Sequence, residues 1–232
     1  MHLLAFDTST DALSIAVQRG EAVWEHSGPG GAQASATLIA GIFGLLEQAA
    51  LDLAQLDALV FGRGPGSFTG LRTACAVAQG LAFGANAGRG IPVLPIDTLA
   101  AVAEQARHQH GCTEVVAVLD ARMDEVYAAR YQWQASAWHS VGELGLCAPQ
   151  DVQVPTGWTV AGNAQAPYGE RLAPDARHVH ALPTGVALLR LAPPLLATGH
   201  AVPAAAAQPL YIRDKVAQTT AERAAARSAT GR

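Results

Sequence analysis

The chain has 232 residues, of which 50% are apolar and 15% are charged, and its formal net charge is −4. This length suits one large domain or two small lobes, each with a buried core. The negative charge balance disfavours a broad basic surface that would hold nucleic acid by itself. The three cysteines are widely spaced, which disfavours both a disulfide framework and a C-x-x-C zinc site.

The N-terminus lacks the basic segment and long apolar run of a secretion signal. No apolar run in the sequence reaches the ~18 residues that a membrane-spanning helix needs. We therefore expect a cytoplasmic protein that does not enter a membrane.

In chain order, the first 110 residues alternate between strand and helix patterns. Short apolar runs bounded by turns predict strands at 3–6, 12–18, 22–25, 56–61 and 92–96. Apolar residues at helical spacing predict helices at 36–49, 73–87 and 98–109. This order predicts a mixed sheet with helices packed on it.

The strand pattern then repeats. An apolar run at 115–120 ends in Asp120, and a turn leads into a returning strand at 125–131. Asp120 and Asp124 have the same spacing as Asp7 and Asp11 in the first strand pair. We therefore predict a duplicated lobe, with an N-terminal lobe at 1–110 and a smaller C-terminal lobe at 111–216. A helix at 185–197, interrupted by two prolines, belongs to the second lobe, and an alanine-rich tail at 217–232 is predicted to be disordered.

A glycine-rich loop at 62–72, GRGPGSFTGLR, joins the fourth strand to the second helix. Its glycines allow sharp turns and close approach to a neighbour, and Ser67 or Thr69 can cap the helix. It is neither a Walker phosphate loop, because no lysine follows Gly70, nor a dinucleotide fingerprint. A plain strand-to-helix turn and an anion or partner site both remain open.

The turn at 7–10 and the glycine loop supply the candidates for nucleotide chemistry. A carboxylate and hydroxyls after a buried strand can hold Mg²⁺-phosphate through water, and a helix start offers free amides. The alternative is that Asp7 and Thr10 satisfy amides of their own turn. The candidate nucleotide-binding residues are Asp7, Thr8, Ser9, Gly66 and Ser67. The second turn has Ala121, Arg122 and Met123 instead of small hydroxyl residues, which predicts a weak or catalytically silent cleft.

The other reactive side chains form no catalytic pattern. Four of the eight histidines form i, i+2 pairs (His108 with His110, His178 with His180), and no H-x-x-x-H motif is present. Ser67 is not in a G-x-S-x-G motif, and Cys75 lies in a run of small apolar residues that is typical of a core. We therefore predict no catalytic residues and no metal site.

The first two helices carry very little charge: Glu47 in the first, and none over 73–87. A solvent-facing helix normally has a polar stripe, so these helices are expected to have a second covered face. Burial within the same chain is the alternative, and small residues at i and i+4 would let another helix approach closely. The predicted partner-interface residues are Leu38, Ile42, Leu45, Leu46, Thr73, Ala74, Val77, Ala78, Leu81 and Ala85.

The motifs together resemble the TsaB family. They are the loop at 62–72, the turn DTST at 7–10, DARMDEVY at 120–127 and PLYIR at 209–213, and the match runs to about residue 216. The resemblance implies an α/β, two-lobe, actin/Hsp70-like (ASKHA, ribonuclease H-like) fold with mixed sheets flanked by helices and a degenerate second lobe. It also implies a role in forming threonylcarbamoyladenosine at position 37 of tRNAs that read ANN codons.

In that pathway a synthase makes threonylcarbamoyl-AMP, and TsaD transfers the group to adenosine with help from TsaB and the ATPase TsaE. The resemblance implies a non-catalytic subunit that heterodimerises with TsaD through its N-terminal lobe and meets tRNA only indirectly. ATP or ADP with Mg²⁺ is an expectation only at the partner interface. Without TsaD, we expect a homodimer through the same face.

One departure from the family pattern concerns the start of the first helix. Many members have a histidine followed by Ser or Thr there, whereas this chain has Ala32-Gln33-Ala34-Ser35. A role of that histidine therefore does not transfer to this chain. The competing hypothesis is a small ATP-dependent ATPase or phosphotransferase of the same fold that uses Asp7 and the glycine loop.

Overall fold

The structure is a computed structural model that describes residues 1–213, so the predicted tail at 217–232 lies outside the described residues. Two mixed sheets, each covered by helices, form the two lobes. This architecture confirms the predicted two-lobe α/β fold.

The first sheet has five strands in the order β3-β2-β1-β4-β5. They are β1 (His2–Asp7), β2 (Ala12–Arg19), β3 (Ala22–Pro29), β4 (Ala58–Gly64) and β5 (Val93–Asp97). β1, β2 and β3 pair antiparallel, whereas β4 pairs parallel with both β1 and β5. Parallel pairing of β1 with β4 brings the Asp7 turn and the glycine loop to the same edge of the sheet.

Two helices, α1 (Ala34–Gln48) and α2 (Phe68–Gly84), cover one face of this sheet. Each buries an apolar stripe on the sheet, as expected for amphipathic helices. α3 (Thr98–His110) and α5 (Gly185–Ala197) cover the opposite face. The first sheet is therefore the middle layer of a helix–sheet–helix sandwich.

The second sheet has the order β11-β10-β6-β7-β8, with β9 also paired to β7. Its strands are β6 (Glu114–Arg122), β7 (Glu125–Gln134), β8 (Ala137–Ser140), β9 (Gly145–Cys147), β10 (Thr159–Gly162) and β11 (Arg177–His180). A short helix, α4 (Gln165–Tyr168), follows β10. The order and pairing repeat those of the first sheet, which agrees with the predicted duplication, but no long helix corresponds to α1 between β8 and β10.

The C-terminal part of the described chain returns to the first lobe. Residues Ala187, Leu188 and Ala192 of α5 are buried against the first sheet, and Ala207 is buried in the core between that sheet and α2. The sequence prediction placed these residues in the second lobe, but the second face of the first sheet needs a cover that α3 alone does not supply. The boundary at 111–216 therefore does not describe the packing.

Two helices differ from their predicted extents. α2 begins at Phe68, five residues earlier than predicted, because Ser67 caps it and Gly70 packs within its first turn. α5 continues through Pro193 and Pro194 to Ala197 instead of breaking there. Each proline removes one amide donor from the helix, and the helix ends three residues after Pro194.

Candidate functional site

The glycine loop packs directly onto the Asp7 turn. A Cβ atom at Gly62 would overlap the Asp7 carboxylate, and one at Gly66 would lie 2.5 Å from the Ser9 carbonyl oxygen. The Ser67 amide donates to that same Ser9 oxygen at 2.7 Å. The glycines therefore allow two segments of the chain to approach each other closely, and the loop amide at Ser67 is already used within the chain.

Asp7 lies beneath this junction, where its side chain is 1% exposed. Its Oδ1 accepts from the Ser9 amide at 2.8 Å and from Ser9 Oγ at 2.6 Å. Thr98 Oγ1 lies 3.4 Å from Oδ2. Burial raises the pKa of Asp7 from 3.8 to about 6, and the hydrogen bonds from Ser9 and Thr98 offset part of that rise. Asp7 is thus a buried turn carboxylate, which is the alternative that the sequence left open.

Thr8 is also buried and donates from Oγ1 to the Gly70 carbonyl oxygen at 2.7 Å. Neither Asp7 nor Thr8 lines the space between the lobes. The structure does not bring these two predicted residues into the cleft, because their side chains turn inward and bond within the junction. Ser9, Gly66 and Ser67 do reach the cleft.

The interlobe cleft has a volume of about 330 Å³. The first lobe supplies the turn at 9–11 and the start of α2, and the second lobe supplies the turn at 119–123 together with Tyr127 and Asn163. A C-terminal stretch at 210–213 forms a further wall. The cleft is therefore bounded by both lobes and by this C-terminal stretch.

The acidic residue of the second turn is also engaged by protein groups. Asp120 Oδ1 accepts from Tyr168 Oη at 2.8 Å and from the Arg122 amide at 2.8 Å. Arg122 also crosses the cleft mouth, where its Nη2 lies 2.5 Å from Asp11 Oδ2 of the first lobe. An ion pair between the lobes thus stands at the opening.

These features do not fit Mg²⁺-ATP or Mg²⁺-ADP in the cleft. Such a ligand needs carboxylate or hydroxyl groups that reach the metal and backbone amides that face the phosphates. Here Asp7 is buried, Asp120 is paired with Tyr168 and Arg122, and the Ser67 amide is bonded to Ser9. The arrangement gives the competing hypothesis of an ATPase or phosphotransferase no support.

The second candidate site is the outer surface of α1 and α2. Because both helices lie in one layer on the same sheet, their outward sides form one continuous surface. Three large apolar side chains stand on it: Ile39 and Phe43 are each 47% exposed, and Phe83 is 72% exposed. Between and beside them the outward positions of α2 are small: Ala76, Gly80 and Gly84. We call these six residues the outer face.

Most of the predicted interface residues lie on the inward side of α1 and α2. Seven of its residues are buried in the chain's own core: Leu38, Ile42, Leu45, Leu46, Ala74, Ala78 and Ala85. The other three, Thr73, Val77 and Leu81, are half-buried. The regular leucine stripe is what an amphipathic helix turns toward its own sheet, so it cannot also meet a partner. The apolar residues outside the stripe, namely Ile39, Phe43 and Phe83, are the ones that stay exposed.

A buried cluster of charged residues joins α3 and α5, the two helices on the second face of the first sheet. Glu104 of α3 is 1% exposed and pairs with Arg107 and with Arg190 of α5, each at 2.9 Å. Trp138 of the second lobe donates its indole N–H to Glu104 at 2.9 Å. Burial alone would raise the pKa of Glu104, but the hydrogen bonds from Arg107 and Trp138 and the charges of Arg107 and Arg190 hold it below its usual value. Trp138 and Arg190 lie 34 and 86 residues from Glu104 in the chain, so no local pattern predicts this cluster.

Among residues 1–213, no three His, Cys, Asp or Glu side chains are grouped so that they could hold a metal ion. In the same part of the chain, no helix is long and apolar enough to cross a membrane.

Comparisons with known proteins agree with this fold. The family model described as TsaD, tRNA N6-adenosine threonylcarbamoyltransferase, matches residues 32–228. The tRNA threonylcarbamoyladenosine biosynthesis protein TsaB of Haemophilus influenzae is 36% identical, over 92% of this chain and 94% of the relative. The TsaB protein of Escherichia coli is 33% identical, over 94% of this chain and 96% of the relative. The solved structure of YeaZ from Pseudomonas aeruginosa superposes with a TM-score of 0.82 at 38% identity, covering 90% of this chain and 99% of that one.

Proposed function

The chain belongs to the family that the TsaD model describes and, within it, to the TsaB proteins, and we propose that it is a non-catalytic partner subunit of TsaD. Its relatives are named for the biosynthesis of threonylcarbamoyladenosine in tRNA, and involvement in that pathway is the part of the function that family membership carries. The finer role, a heterodimer with TsaD that supports transfer of the threonylcarbamoyl group, is our proposal.

The outer face is the observation that carries this proposal. Large apolar side chains that stand exposed among small residues are costly in water and favour a partner that covers them. Ala76, Gly80 and Gly84 recur every four residues, so a partner helix can approach the α2 backbone closely between Phe83 and the α1 side chains. A partner subunit of the same fold has helices in the corresponding layer and can pair with this one.

The same surface supports a homodimer when TsaD is absent. A two-fold pair buries the same patch on both copies, so that a single apolar face suffices for both halves of the contact. The two assemblies are then alternatives, because each uses the outer face. TsaE and the threonylcarbamoyl-AMP synthase remain expected participants in the pathway, with tRNA contacted through TsaD, and the cytoplasm is the proposed location.

The cleft supports a role without chemistry of its own. Its carboxylates are buried or paired, and its mouth is spanned by the pair of Arg122 and Asp11. A nucleotide at the junction with TsaD stays a prediction, since the partner would supply the missing groups. For the isolated chain we expect no measurable heat in a calorimetric titration with Mg²⁺-ATP up to millimolar concentration.

Reconstituted tRNA modification tests the proposal. TsaD, TsaE, the synthase and a tRNA that reads ANN codons are incubated with threonine, bicarbonate and ATP, and threonylcarbamoyladenosine is measured by mass spectrometry. We expect modification only when this chain is present, and we expect Asp7→Asn to retain modification because Asp7 holds a turn. Equal modification without the chain would exclude the partner role, and nucleotide hydrolysis by the chain alone would favour the competing hypothesis.

A further inference from the structure

The segment at 207–213, which we call the strap, crosses from one lobe to the other. Its start is fixed to the first lobe: Ala207 is buried in that core, and its carbonyl oxygen accepts from Gln79 Nε2 at 2.9 Å. The Leu210 amide then donates to the Arg63 carbonyl oxygen at 2.7 Å. The Leu210 carbonyl oxygen would lie 2.6 Å from a Cβ at Gly64, so glycine is needed for the strap to lie this close.

The end of the strap is fixed to the second lobe. Tyr211 still packs on Phe68 of the first lobe, with ring centroids 5.4 Å apart, whereas the next residue, Ile212, packs against the core of the second lobe. Arg213 forms an ion pair with Glu125 and donates to the Arg122 carbonyl oxygen at 3.3 Å. The strap thus makes specific contacts with both lobes, and its residues 210–213 form one wall of the cleft.

Arg213 contacts a turn that has an unusual backbone conformation. Arg122, Met123 and Asp124 all have left-handed φ values, 61°, 56° and 64°. Residues other than glycine rarely adopt this conformation, and three in succession persist only where surrounding contacts hold them. Those contacts come from three directions: Asp11 of the first lobe pairs with Arg122, Arg171 of the second lobe pairs with Asp124, and Arg213 of the strap reaches the Arg122 carbonyl.

We propose that the strap and the ion pair of Asp11 with Arg122 form a latch that holds the two lobes at one relative orientation. In two-lobe folds the cleft opens and closes by hinge motion of the lobes about a bound ligand. Here the chain itself supplies closing contacts on two sides of the cleft. The strap and Asp11 both contact the turn at 122–124. Loss of either contact therefore weakens the connection between the first lobe and this turn of the second lobe.

Distances between paired spin labels test the latch. Glu21→Cys in the first lobe and Asp175→Cys in the second place labels at exposed positions. Cys147→Ser removes the half-buried native thiol, and Cys75 and Cys112 are buried. Labelled protein is diluted with unlabelled protein so that pulsed electron resonance reports distances within one chain.

The parent protein should give one narrow distance distribution. The double variant Asp11→Ala/Arg213→Gln removes both bridges, and we expect its distribution to become about twofold wider. The control is Arg171→Gln, which removes an ion pair from the same turn without disconnecting the lobes, and its distribution should match the parent. A parent-like distribution in the double variant, or equal widening in the control, would overturn the proposal.

A second variant keeps the test decisive if the double variant does not fold. Asp11→Ala alone alters a side chain that is 81% exposed, so the fold should be unaffected. We expect it to widen the distribution to an intermediate extent and to speed amide hydrogen exchange in residues 122–124. A distribution and an exchange rate both equal to those of the parent would equally overturn the latch.

Discussion

The Thr8 side chain forms a hydrogen bond with Gly70, and the backbones of the two residues are in close contact. Thr8 Oγ1 donates to the Gly70 carbonyl oxygen at 2.7 Å, and a Cβ atom at Gly70 would overlap the Thr8 carbonyl oxygen. The turn after β1 and the glycine loop after β4 are therefore two halves of one packed junction. The junction sets where α2 begins and so positions the outer face.

Gly70→Ala should lower the free energy of unfolding by roughly 2 kcal/mol, because the added methyl group meets backbone that cannot move aside. Gly145→Ala is the matched control, since Gly145 has open space at its Cβ position and no positive φ. Urea denaturation at neutral pH measures both. A loss as small for Gly70→Ala as for the control would contradict the close junction.

The buried Asp7 carboxyl predicts a pH-dependent stability. Its folded pKa of about 6 exceeds the ordinary aspartate value of 3.8, so between these pH values the folded state binds more protons than the unfolded state. The Asp7 contribution therefore lowers the free energy of unfolding as pH rises through this window, by about 3 kcal/mol in total, and changes little above pH 6.

Asp7→Asn cannot ionise, so the variant should lose this part of the slope. Denaturant unfolding of both proteins between pH 4 and pH 7 gives the comparison, and the other titrating groups cancel in the difference. A difference between parent and variant that does not change with pH would show that Asp7 titrates normally.

Glu104→Ala should destabilise the fold by about 3 kcal/mol, because it removes the carboxylate that neutralises the charges of Arg107 and Arg190. Glu47→Ala, on the exposed side of α1, is the control and should change stability by less than about 0.5 kcal/mol. Thermal unfolding followed by circular dichroism distinguishes them. Similar melting temperatures for the two variants would show that the cluster contributes little.

The repeated strand-turn-strand pattern made the two-lobe fold predictable, because the same spacing of Asp7 with Asp11 and Asp120 with Asp124 marks equivalent turns in equivalent sheets. Glycine spacing at 62–70 also indicated close approach. It could not show that the neighbour is the Asp7 turn and the strap, since the sequence does not say which segments meet. For the same reason the sequence could not show that the Asp7 and Thr8 side chains do not line the cleft.

Which side of each helix packs on the sheet was harder to predict from the sequence. Leu38 and Ile42 have the regular spacing of a buried stripe, and Ile39 and Phe43 repeat the same spacing one residue later. Periodicity alone does not say which of two adjacent apolar stripes lies on the sheet. Contacts such as that of Arg213 with Glu125 join residues 88 positions apart, and no local pattern encodes them.

Phe43→Glu should convert the isolated protein from a dimer to a monomer, because the variant places a charge in the contact that the two copies share. Val23→Glu is the control: Val23 is 45% exposed but lies on β3, away from the outer face. Sedimentation velocity at several concentrations measures the mass. A monomeric parent protein, or a dimer that survives Phe43→Glu, would remove the outer face from the homodimer.

The most direct test of the central claim is the affinity for purified TsaD, measured by isothermal titration calorimetry. Phe83 is 72% exposed, so Phe83→Glu should leave the fold intact while it places a charge on the outer face. We expect Phe83→Glu to weaken TsaD binding at least ~30-fold, which is about 2 kcal/mol of binding free energy. Val23→Glu should bind TsaD with the affinity of the parent. Unchanged affinity of Phe83→Glu for TsaD would contradict the claim that the outer face is the partner surface.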